Sequence, residues 1–406
     1  MYINRHIENV IKRESEAFPA VLVTGSRQIG KSTTLKHIYP DMKYINLDDR
    51  IALLSMHEDP VGFLQLQGTP LILDEIQRDP ESFLSIKYLI DERRSAGMFY
   101  LTGSQKYLMM EKASESLAGR IGIISMYGLS NREIKGETFN RPFLPCLEYL
   151  RERNITPEPS PGSLWEKIHK GSMPELYAND KMKWESYYAS YVDTYIERDM
   201  RALSQVGDTL AFLQFMTALA SRTGCLLNMH DIAKDAGIDD KTVKRWISIL
   251  QTSGIIYLLR PFHLNISKRI VKTPKIYFMD TGLAAWLCRW LTPETLRNGA
   301  MSGSIFETWV VSEIIKSYNN MGKEPDIYFF RNTDGQEVDL LFYENGSIYP
   351  LEIKKTAAPN PKDVRHFKTL STFFPELQIK EGGVICTYPE IMPLCDGRYT
   401  IPASAI

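Results

Sequence analysis

At 406 residues the chain is too long for one hydrophobic core, so two or three domains are expected, and 44% hydrophobic with 24% charged residues is an ordinary globular balance. The net charge of −1 excludes no partner by itself, but five scattered cysteines (Cys146, Cys225, Cys288, Cys386, Cys395) without a C-x-x-C pair argue against a zinc site or a disulfide framework. No apolar run approaches the roughly 18 residues of a membrane span, and Met1–His6 lacks an apolar signal region, so a cytoplasmic protein is expected.

The first predicted strand, Ala20–Val23, feeds Gly25-Ser26-Arg27-Gln28-Ile29-Gly30-Lys31-Ser32, and Thr33 opens a helix. This is G-x-x-x-x-G-K-S in the strand–loop–helix context of a phosphate-binding loop. Its backbone N–H groups and the helix N-terminus would face phosphate oxygens. Lys31 would neutralise the β- and γ-phosphates of ATP, and the Ser32 hydroxyl would sit on Mg²⁺. A second apolar strand, Leu71–Leu73, ends in Asp74-Glu75. Asp74 is placed to hold Mg²⁺, and Glu75 to deprotonate the water attacking the γ-phosphate. A third strand, Phe99–Gly103, ends in Ser104 and Gln105, either of which could hydrogen-bond that water, with Thr102 a weaker candidate. Arg120, before the strand Ile121–Met126, is a candidate for touching the γ-phosphate, either in cis or from a neighbouring subunit of an oligomer.

These motifs, with Leu47-Asp48-Asp49 and Ser116-Leu117-Ala118-Gly119-Arg120, resemble the bacterial and archaeal AAA-type ATPases that carry a C-terminal domain of unknown function, the AAA_14 plus DUF4143 architecture. The resemblance covers nearly the whole chain. It implies an α/β fold beginning with a parallel-sheet P-loop ATPase domain over 1–135, and an enzyme that hydrolyses ATP. A linker and helical region is expected over 136–222, with the Pro-rich stretch from Gly136 to Gly162 read as a connector or poorly packed cap.

Over 223–290 a winged-helix-like domain is predicted. Met229–Ala236 reads as a short helix closed by Gly237, and Asp239 or Asp240 caps a longer one from Lys241 to Ser253. Ile255–Leu259 and Ile276–Met279 would be the strands of a wing. From Lys241 to Lys275 there are eight basic residues and no acid. Lys241, Lys244 and Arg245 share a helix face, and Lys268 and Arg269 lie between the strands, which makes DNA a candidate partner and protein–protein contact its rival.

The last region, 291–406, opens with a predicted amphipathic helix carrying Glu307, followed by strands over 326–330, 336–342 and 347–353. A hairpin turning at Gly346 would set Asp339 beside Glu352 and Lys354, which share a strand face. The D…E-x-K arrangement resembles the PD-(D/E)xK nuclease fold, an α/β restriction-endonuclease-like domain, with Glu307 matching the acid of its first helix. The resemblance implies that Asp339, Glu352 and Glu307 bind Mg²⁺ and that Lys354 positions water. No Pro precedes Asp339, Glu337 could serve in its place, and a charged solvent face would give the same pattern. Two functions remain in view: an ATPase coupled to DNA binding or processing, and an ATP-gated switch for protein partners with an inactive nuclease-like domain.

Overall fold

The computed structural model describes residues 2–104, 109, 116–153, 155–158, 160–195, 209–265 and 272–406. Gln105, Lys268 and Arg269 lie outside the described residues.

Five strands, β1 (Ala20–Thr24), β2 (Lys43–Asn46), β3 (Leu71–Asp74), β4 (Phe99–Gly103) and β5 (Ile121–Ser125), form an all-parallel sheet in the order β2-β3-β4-β1-β5. Strands β1, β3 and β4 are buried at every position, which is why they read as unbroken apolar runs rather than alternating ones. Strand β4 lies between β1 and β3. All three deliver their C-terminal ends to one edge, where open parallel sheets bind their ligands.

The segment after this sheet packs more tightly than its prolines suggest. Phe143, Tyr149 and Leu150 are buried. The Phe143 ring lies 5.8 Å from that of Phe342, and its amide donates to the Ser317 hydroxyl at 3.1 Å. The connector reading is therefore corrected: aromatic side chains between the prolines join a core supplied by the far end of the chain. Further on, Gly237, at φ 67°, closes the helix Met229–Ala236, and Asp239 caps the helix Asp240–Thr252 by accepting the Lys241 and Thr242 amides. Strands β6 (Ile256–Leu259) and β7 (Lys275–Phe278) then pair antiparallel.

The C-terminal sheet is mixed. It runs β13 (Pro393–Cys395), β14 (Arg398–Pro402), β12 (Gly382–Cys386), β10 (Ser347–Ile353), β9 (Glu337–Glu344), β8 (Ile327–Arg331), with β11 (Gln378–Ile379) beside the start of β10. Asn345 and Gly346, at φ 49° and 76°, are the two left-handed residues of a tight hairpin turn. That turn sets the β9–β10 register, in which Leu340 faces Leu351. Asp339 and Glu352 are the next pair along. The helix Ser302–Asn319 departs from the amphipathic pattern expected of it. Thirteen of its residues are buried, because it runs between this sheet, β7 and the helices Pro161–Lys170 and Thr281–Leu287. One continuous apolar core reaches from Ile7 to Ile406.

Candidate functional site

The phosphate loop leaves β1 at Gly25, whose φ of 144° favours glycine. A Cβ there would lie 2.1 Å from the Met126 carbonyl oxygen, so a side chain is excluded. Gly30, at φ 91°, starts the helix Lys31–Ile38. Residues Arg27 to Thr34 line a cavity of about 1140 Å³ with Glu75, facing Pro174, Glu175 and Tyr187 across the cleft. Gly25 and Ser26 contribute from beneath: their carbonyls accept the Lys31 ammonium at 3.0 and 2.8 Å, which holds that charge inside the loop.

Asp74 ends β3 buried, and its carboxylate is fully engaged. It accepts the Ser32 hydroxyl at 2.8 Å, the Glu75 amide at 3.2 Å, and the hydroxyls of Thr102 and Tyr44. Thr102 thus serves Asp74 rather than a water molecule. Glu75 sits in the left-handed region at φ 59°, a strained conformation typical of functional turns. Burial, and then the Asp74 charge, raise its pKa against the opposing pull of Lys31 and Arg27. At the end of β4 the buried Ser104 hydroxyl has no hydrogen-bond partner among the described residues. A buried hydroxyl with no partner among the described residues, a lysine held inside the loop and a Ser–Asp pair suit Mg²⁺ and a nucleoside triphosphate.

Two residues here escaped the sequence reading. Tyr44, from β2, joins Asp74 and is capped by the Lys36 ammonium 3.3 Å from its ring centroid. Arg5, buried ahead of the first helix, donates to the Ile29 carbonyl of the loop at 2.9 Å, to the Tyr127 carbonyl at 2.7 Å and to Glu133 at 3.2 Å. It ties the loop to the segment after β5. A lone Arg near the start of a chain carries no spacing signal that would reveal this.

Arg120 is displaced from its expected role in cis. It precedes β5, and its carbonyl accepts the Ala20 amide at the N-terminal edge of the sheet. The length of β1, roughly 17 Å, separates that edge from the phosphate loop. The guanidinium instead pairs with Asp91 at 2.7 Å.

In the C-terminal sheet the structure brings Asp339, Glu352 and Lys354 together, with Glu307 approaching from its helix. Lys354 lies 2.6 Å from Glu352 and 3.6 Å from Asp339. The Ile353 amide donates to Asp339 at 2.8 Å. Burial, then Asp339, push the Glu352 carboxyl up to about 8 despite Lys354. Glu307 accepts the Tyr277 hydroxyl at 2.6 Å and the Lys275 ammonium at 3.1 Å, and Lys275 also reaches Glu337 at 2.6 Å. Lys275 therefore leaves the basic set counted from the sequence: it is 4% exposed and neutralises acids. Lys241, Lys244 and Arg245 remain exposed on the helix Asp240–Thr252. The acid set does not fit a bound metal as it stands, since among the described residues no group of three or more His, Cys, Asp or Glu is arranged to hold one. Lysines occupy that place.

The strand order, the phosphate loop and the acid pair define a P-loop ATPase fold of the AAA type. Residues 17–135 match the AAA domain family AAA_14, 162–294 a domain of unknown function, DUF8612, and 302–406 a second, DUF4143. The chain thus carries the AAA_14 and DUF4143 domains in one polypeptide. Two uncharacterized mycobacterial proteins, Rv2008c of Mycobacterium tuberculosis and Mb2031c of Mycobacterium bovis, are each 25% identical over 397 residues, covering 98% of this chain and 82% of their own. Among solved structures, the Walker-type ATPase paby2304 of Pyrococcus abyssi is similar at a TM-score of 0.43 and 14% identity, covering 70% of this chain and 96% of its own. The Thermotoga maritima RuvB Holliday junction branch migration motor is similar at 0.29 and 18%, covering 62% and 85%. No described helix is long and apolar enough to cross a membrane.

Proposed function

We propose that the protein binds Mg–ATP in the cleft above the phosphate loop and hydrolyses it. The observation that carries this is the joining of Lys31, Ser32, Asp74 and Glu75 at one sheet edge, with the Ser104 hydroxyl at the end of the neighbouring β4 unpartnered among the described residues. Arg27 to Thr33 wrap the phosphates with backbone amides, and Lys31 leaves the loop carbonyls for the β- and γ-oxygens. Ser32 and Asp74 would hold Mg²⁺, which supplies neutralisation of the triphosphate charge. Glu75 takes the proton of the attacking water, and its raised pKa makes it a stronger base than an ordinary carboxylate. Ser104 orients that water. The test is Mg²⁺-dependent phosphate release from ATP by the purified chain. Lys31→Ala should abolish it, and equal release by that variant would contradict the reading.

The finer reading couples this ATPase to DNA. A short helix, a turn, a longer helix with Lys241, Lys244 and Arg245 exposed, and two antiparallel strands have the layout of a winged helix. Phosphate contacts by these cations would make duplex binding fall with salt. We read the C-terminal sheet as nuclease-like from Asp339, Glu352 and Lys354. One observation favours an inactive nuclease-like domain: each of the acids Glu307, Glu337, Asp339 and Glu352 already holds a lysine, so no cleavage step is derived. Duplex binding without cleavage, in the presence of Mg²⁺ and ATP, is the expected result.

A further inference from the structure

Directly after Glu75 the chain winds into a single 3₁₀ turn, Ile76–Arg78, closed by the Arg78 amide on the Glu75 carbonyl at 2.9 Å. Ile76 is fully buried and Arg78 is tied to Asp48 at 2.6 Å, so both neighbours of Gln77 are pinned. Entered through the left-handed Glu75, this turn brings the Gln77 side chain back onto the residue two positions before it. The Gln77 amide Nε2 donates to Oε2 of Glu75.

Gln77 holds that position at a cost. The other end of its amide, Oε1, is buried and has no hydrogen-bond partner among the described residues. A buried acceptor without a donor is unfavourable and calls for a compensating role. The neighbouring strand leaves room for it: at Gly103, the end of β4, a Cβ would lie 2.3 Å from that oxygen. Glu75, in turn, needs holding. It lines the cleft, where Lys31 and Arg27 draw its charge toward the phosphate loop and Asp74 repels it.

We propose that Gln77 is a positioning residue for hydrolysis: its amide fixes Oε2 of Glu75, which leaves Oε1 to take the proton of the attacking water, and the missing side chain of Gly103 lets the amide reach it. Gln77 itself touches neither nucleotide nor water. The proposal rests on the reading of Glu75 as base. Without the amide, the carboxylate turns toward Lys31 and Arg27. The water then loses its base while the phosphate loop keeps its nucleotide, so rate suffers and binding does not.

The experiment uses the full chain with Mg–ATP. Gln77→Met keeps the length of the side chain and removes the donor. ATP affinity, by calorimetry, should stay within about twofold of wild type, and single-turnover hydrolysis should fall at least about tenfold, a part of the roughly 10²–10⁴ that a placed general base supplies. In the Glu75→Gln background the same substitution should change the residual rate by less than about twofold, since residues that act through one group are not additive. A folded Gln77→Met protein that hydrolyses ATP at the wild-type rate overturns the proposal. So does one that loses the same factor in both backgrounds, or whose ATP affinity falls as far as its rate, because either marks a merely structural role. Should Gln77→Met fail to fold, Gln77→Ala, which adds no atom to the site, is put through the same comparison. Hydrolysis indifferent to Glu75→Gln is a separate outcome: it removes the base assignment first, and this proposal with it.

Discussion

Replacing Glu352 by Gln removes a carboxyl whose pKa is raised from 4.5 to about 8, chiefly by burial and secondarily by Asp339. The folded chain holds this proton more tightly than the unfolded chain does. Between pH 4.5 and 8 the native state therefore carries the extra proton, and stability falls as pH rises through that window. Integrated from pH 5.5 to 8.5, such a shift amounts to about 3 kcal/mol, since each pH unit of displacement is worth roughly 1.4 kcal/mol. The amide introduced by Glu352→Gln is neutral throughout and leaves Lys354 its contact with Asp339 at 3.6 Å. Urea unfolding of both proteins at pH 5.5, 7 and 8.5 should show wild type losing about 3 kcal/mol relative to the variant, with the gap opening toward high pH. A constant difference between the two proteins at all three pH values would refute the reasoning, because Glu352 would then be ionised across the range.

Arg5→Ala should cost about 3–5 kcal/mol, measured by chemical denaturation, because it strands the buried Glu133 carboxylate. Gly25→Ala should destabilise by at least about 2 kcal/mol and abolish nucleotide binding, followed with a fluorescent ATP analogue, since its Cβ meets the Met126 carbonyl. Reversing Lys244 and Arg245 to Glu should weaken duplex binding and lower its salt slope by about one unit per residue, read by fluorescence anisotropy across a salt series.

What the sequence disclosed was local. The phosphate loop is legible because eight consecutive residues must supply glycine freedom, a lysine and a hydroxyl in fixed order. The Asp339–Glu352–Lys354 convergence is legible because a hairpin with a two-residue turn ties strand period to spacing. Contacts made across the chain were not legible. Lys275 reaches Glu337, 62 positions away, so from composition it looked like one more exposed cation. Tyr44 meets Asp74 only because β2 lies beside β3. Arg120 is far from the phosphate loop of its own chain because it precedes its strand, and in a parallel sheet the ligand edge belongs to residues that follow theirs, which leaves the role from a neighbouring subunit untouched. The helix carrying Glu307 looked amphipathic because its buried polar residues, Glu313 and Lys316, pair with each other at 2.8 Å and with the backbone of Leu129 and Asn131.

The central claim is that the cleft hydrolyses ATP with Glu75 as base, and Glu75→Gln tests it most directly. The amide preserves size and hydrogen bonding while losing basicity. ATP binding to the variant, measured by calorimetry with Mg²⁺, should match wild type, and single-turnover hydrolysis should fall at least about 100-fold. Hydrolysis at the wild-type rate with binding intact would contradict the assignment of Glu75.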